Sequence, residues 1–157
     1  MRLKKLLFPA LIGAVASARS MTPMATIAGA RLLSRRTPGR VILLDRPLFK
    51  AGALFMGLGE LLGDKMKSAP DRTVPLGLAA RVMSAGIAGA ALAPRGREPA
   101  GAAIAVATAV PLAHLTLAAR KRAIGRIGQT RSGLIEDLLV VAAGVAIVAL
   151  AVHLDDR

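Results

Sequence analysis

The chain has no cysteine, tryptophan or tyrosine, and only three phenylalanines. Without cysteine there can be no disulfide, no thiolate metal site and no thiol nucleophile. With so few aromatics there is no platform on which bases could stack. Acids are also scarce: nine Asp and Glu face 22 Lys and Arg, for a net charge of +13. A P-loop, a G-x-S-x-G elbow, an H-E-x-x-H helix and a glycine-rich nucleotide fingerprint are all missing, so the chain is not expected to be an enzyme or to hold a cofactor or metal. Neither histidine has a second histidine one turn away.

What is abundant is small aliphatic sequence. The hydrophobic fraction is 54% of 157 residues, above the roughly 45–50% of soluble domains, and the mean hydropathy is +0.56. Alanine, leucine, valine and isoleucine form long runs in which polar residues do not recur every third or fourth position, as an amphipathic surface helix requires. The fold class expected is all-α: a single integral membrane domain over residues 1–157, with hydrophobic segments at about 6–33, 47–66, 76–93, 100–119 and 133–154. The last three each approach the roughly 20 residues that a 30 Å hydrocarbon layer needs, and the second is marginal.

Basic residues cluster between these runs, at Arg31, Arg35, Arg36 and Arg40 and again at Arg120, Lys121, Arg122, Arg126 and Arg131. That placement fits the cationic loops of a multi-pass membrane protein better than a nucleic-acid footprint, so no nucleic-acid partner is expected. Loop charge predicts that Arg120 to Arg131 is cytoplasmic, with the Pro94 to Pro99 turn and the Asp155-Asp156 tail outside. The basic Arg31 to Lys50 stretch should then also be inside, as should Arg2, Lys4 and Lys5. Both conditions hold only if the first segment is a hairpin and the second returns to its own side. The basic loops could also bind anionic lipid.

The first segment is interrupted by Ser17, Arg19, Ser20, Thr22 and Pro23, and Pro23 should break helical geometry at Thr22. A broken or re-entrant helix is expected, which needs protein or a watery cavity to satisfy its backbone. Residues 1–20 also resemble a secretory signal, with Ala16-Ser17-Ala18 in the place of a cleavage site. Apolar sequence resumes from Met21 to Leu33, and the later spans already commit the chain to the membrane, so retention of this segment is expected.

Ionisable residues within or beside apolar runs are costly and usually face a partner or a cavity. Here they are Arg19, Glu60, Asp64, Arg81, His114, Glu136 and Asp137. The functional expectation is a substrate or ion path in which Arg19 and Arg81, with Ser20 and Thr22 at the helix break, oppose Glu60, Asp64, Glu136 and Asp137. The competing expectation is that these groups only hold the bundle together or sit hydrated at the interface. His114 reads as a bystander. Gly59/Gly63 and Gly86/Gly89 offer small-residue packing faces that a homo-oligomer could use.

The motifs Ser17-Ala18-Arg19-Ser20-Met21-Thr22-Pro23, Gly59-Glu60-Leu61-Leu62-Gly63-Asp64-Lys65, Ala69-Pro70-Asp71-Arg72-Thr73, Arg81 before a Gly/Ala run, and Glu136-Asp137 occur in this order. In this the chain resembles the bacterial membrane proteins called domain of unknown function 4126. The resemblance implies a multi-pass protein of the bacterial inner membrane with an uncleaved N-terminus, and it brings no reaction, cofactor or ligand. Two functions are therefore carried forward: a small transporter or channel-like protein for a small ion or solute, and a non-transporting scaffold or accessory protein.

Overall fold

The computed structural model describes residues 6–63 and 74–155, and in them every regular element is helical. Helix α1 (Leu7–Ala18) and helix α2 (Thr22–Leu32) replace the first hydrophobic segment. They are followed by a 3₁₀ turn (Ile42–Asp45), α3 (Pro47–Gly63), α4 (Pro75–Leu92), α5 (Glu98–Ile127) and α6 (Gln129–Asp155). Helices α4, α5 and α6 are long and apolar enough to cross a membrane. Helices α1, α2 and α3, at 12, 11 and 17 residues, are shorter.

The break between α1 and α2 falls at Arg19, whose φ of −136° and ψ of 114° are extended. Thr22 is already helical, and Pro23 sits in the first turn of α2. Proline there starts the second helix, because its missing N–H would be unpaired in a first turn anyway. The expectation that Pro23 itself disrupts Thr22 is corrected accordingly.

The segment folds back on itself as a helical hairpin. Gly13 of α1 lies against the backbone of Ala105 in α5, and Ala105 in turn lies against Gly89 of α4. One turn further on, the Ser17 carbonyl accepts from Arg81 of α4 and Thr116 of α5. The hairpin therefore descends from the level of the α4–α5 turn. It then comes back: beyond α2, the Gly39 N–H donates to the Ala91 carbonyl and the Arg40 N–H donates to Glu98. Arg81 is the seventh residue of α4, about 9 Å from its start and about 16.5 Å from its end. The hairpin tip thus passes the middle of the bundle.

The loop after α2 is built around one side chain. Arg31 donates to the Val41 and Gly39 carbonyls and to Thr37, and pairs with Asp45. The end of α2 is closed by Ser34 at φ 59°, with the Ser34 N–H on the Arg31 carbonyl and the Arg35 N–H on the Ala30 carbonyl. This is the double closure usually made by glycine.

Two topological expectations are corrected. The basic stretch from Arg120 to Arg131 is not a loop: α5 runs to Ile127, α6 begins at Gln129, and Gly128 at φ 84° makes the turn alone. At 30 and 27 residues these helices exceed the roughly 20 that the hydrocarbon requires, so their cationic ends extend past it. The Arg31 to Lys50 and Arg120 to Arg131 groups also lie at opposite ends of the bundle. The former sits beside the α4–α5 turn, which the Arg40–Glu98 and Gly39–Ala91 bonds hold in place. Helix α3 leaves that end and reaches the hairpin tip with Glu60, so it does not return to its own side within the described residues.

Candidate functional site

The opened backbone at the hairpin tip is the centre of a polar cluster. Breaking a helix frees carbonyls at the end of α1 and N–H groups at the start of α2, and inside an apolar bundle each freed group needs a partner. The Ser17 carbonyl takes Arg81 Nε at 3.3 Å and Thr116 Oγ1 at 3.1 Å. On the other side of the break, Glu60 accepts the Ser20 N–H at 2.8 Å and the Ser20 hydroxyl at 2.5 Å through Oε1, and the Met21 N–H at 2.8 Å through Oε2. A carboxylate on the amides that open a helix also lies at the positive end of its dipole.

Arg19, at the extended residue itself, is 1% exposed and forms an ion pair with Asp137 of α6. One position before Asp137, Glu136 accepts from Arg120 at 2.7 Å, which ties the start of α6 to the last third of α5. Arg81, 3% exposed, also donates to the Gly77 carbonyl at 2.9 Å. Ser84, one turn along α4, is wholly buried, and its hydroxyl has no partner among the described residues. An unpaired buried hydroxyl costs about 1–3 kcal/mol.

The structure brings together Arg19 with Asp137 and Ser20 with Glu60, and sets Arg81 on the same turn of backbone. Of the expected opposition of two arginines to four acids, the Arg19–Asp137 pair is seen among the described residues; Arg81 donates to the Ser17 and Gly77 carbonyls, and Glu136 accepts from Arg120. Thr22 is buried, but its methyl group faces Gly144 of α6, so it packs rather than joining the polar cluster. Asp64 lies outside the described residues, as do Asp71 and Arg72. His114 is exposed on α5. Comparison with known proteins finds no matching family model, curated protein or solved structure.

Three contributors were not singled out from the sequence. Arg120 was counted with the basic loop, and Ser17 was read as part of the break or of a cleavage site. Thr116 is the one with a usable signal, a hydroxyl in an apolar run, although threonine often satisfies itself on the preceding turn. It does so here as well, on the Ala113 carbonyl at 3.2 Å.

A second feature is apolar. Between α2, α3 and α6 lies a cleft of about 810 Å³. Its walls include Ala25, Gly29, Leu58 and Val145, its inner end is at Thr22 and Leu61, and its outer end is at Leu33, Arg35 and His153. Among the described residues no carboxylate lines it.

The described residues contain no cluster of three or more His, Asp or Glu side chains.

Proposed function

We propose that this multi-pass membrane protein is a small transporter or channel-like protein for a small anionic solute, with Glu60 as a built-in plug at the hairpin tip. The observation that carries this reading is the seating of a side-chain carboxylate on two backbone N–H groups and a hydroxyl, beside the buried Arg19. Such donors suit an anion, and discontinuous helices use them this way for anionic substrate groups. A solute anion would compete with Glu60 for the same donors. The Arg19–Asp137 pair would hold the tip in register while the exchange takes place.

The test is protein-dependent iodide efflux from proteoliposomes. Glu60→Gln keeps the volume and one carbonyl acceptor but loses the charge. Weakening the plug by roughly 1.4 kcal/mol would raise flux about tenfold. Arg19→Ala should remove flux. If the wild type and a folded Glu60→Gln variant both leave iodide trapped, the reading fails.

A second reading, a non-transporting accessory protein, is favoured by the extent to which the cluster satisfies itself. Glu60, Asp137 and Glu136 each have a donor from this chain. On that reading the cluster fastens the hairpin, and the arginines at both ends meet anionic lipid or a partner protein. The resemblance to domain of unknown function 4126 is compatible with either reading.

A further inference from the structure

We propose that the cleft between α2, α3 and α6 is a lipid site, taking an acyl chain of an anionic phospholipid whose phosphate sits at Arg35 and His153. Along α2 the cleft extends from Thr22 to Leu32, ten residue steps or about 15 Å. That is half of a hydrocarbon core of roughly 30 Å, the depth of one leaflet. The cleft therefore matches an acyl chain in length, and its lining is almost wholly apolar.

Its polarity runs the right way for a lipid. The outer end lies at the face where α1 enters and where the loop after α2 carries Arg35, Arg36, Arg40 and Arg46. Arg35 and His153 close the lining there, both exposed, and among the described residues no carboxylate is part of that lining. Arg31, by contrast, is taken up by Asp45 and the loop carbonyls. An anionic headgroup at that level meets cations, while its chain lies along Gly29, Leu58 and Val145. A zwitterionic lipid fits the groove equally well but gains less from the mouth.

Gly29 supplies a clean probe, because a Cβ added there meets nothing within 4 Å. A larger side chain at that position fills the cleft without colliding with a neighbour. The full chain in detergent would be equilibrated with equal amounts of phosphatidylglycerol and phosphatidylcholine of identical chains, and bound lipid counted by native mass spectrometry. Retained phosphatidylglycerol should exceed phosphatidylcholine about fivefold, the effect of one arginine near a headgroup. Arg35→Gln should bring the ratio close to parity. Gly29→Leu should lower occupancy by both lipids, and Val145→Phe, which fills the cleft from α6, should repeat that result if Gly29→Leu does not fold. Arg126→Gln, the same charge change at the opposite end, should alter nothing.

Three results would overturn the proposal. One is a ratio unmoved by Arg35→Gln, and another is an equal loss of preference in Arg126→Gln, which would mark a diffuse charge effect. The third is a dimer that the cleft-filling variants dissociate, which would assign the cleft to a second copy of the chain. Iodide flux is read separately, so loss of this site and failure of the plug are distinguishable.

Discussion

Arg19 is wholly surrounded by protein, and Asp137 is the carboxylate that pairs with it. Removing one partner of a buried pair leaves the other charge stranded, which costs about 3–5 kcal/mol. Arg19→Ala and Asp137→Asn should each destabilise the protein on that scale in detergent unfolding. The double variant should cost clearly less than the two single losses added together; simple additivity would mean that the pair is not coupled. Ser34 offers a change of the opposite sign. It holds φ 59°, a conformation that glycine adopts freely. Ser34→Gly should raise stability by up to about 1 kcal/mol, read as a higher midpoint of thermal unfolding. The charged members of the cluster were legible in the sequence because ionisable residues in apolar runs are few. Their pairing was not legible, since Arg19 and Asp137 are 118 positions apart and two arginines had four acids from which to choose.

Among the elements, contact between helices depends on glycine. Gly89 of α4 and Gly101 of α5 each sit so that an added Cβ would be 2.5 Å from the other's carbonyl oxygen. Gly89→Leu should therefore force the two helices apart, at a cost of about 1–3 kcal/mol. Gly29→Ala, in open space on a helix, should instead stabilise by about 0.5–1 kcal/mol. Denaturation midpoints of the two variants should move in opposite directions; movement the same way would contradict this packing. The small residues were visible in the sequence, and Gly86/Gly89 was read as a face for another subunit. In the structure both glycines pack on α5 of the same chain, with Gly89 on Gly101 and Gly86 against Val106. A small-residue stripe specifies close approach and carries no information about which helix approaches. The extents of α5 and α6 were likewise underestimated, because hydropathy marks where a helix crosses lipid and not where its hydrogen bonding ends.

At the level of the whole molecule, cationic sequence is present at both ends: Arg35, Arg36, Arg40 and Arg46 at one, Arg120, Lys121, Arg122 and Arg126 at the other. Loop charge alone therefore does not orient the bundle, which is why assigning both groups to one side conflicted with the fold. The all-helical class and the broken first segment followed from composition and from the polar interruption at residues 17–23. The returning path of α2 depended on long-range bonds, Gly39 to Ala91 and Arg40 to Glu98, which no local pattern announces. The re-entrant hairpin is the central claim, and the absence of native cysteine makes its test direct. Single cysteines would be placed at the exposed positions Arg36, Arg95 and Thr130 and treated in sealed vesicles with an impermeant thiol reagent. Arg36→Cys and Arg95→Cys should be labelled from the same side, and Thr130→Cys from the other. Labelling of Arg36→Cys and Arg95→Cys from opposite sides would mean that the first segment crosses the membrane, and would contradict the hairpin.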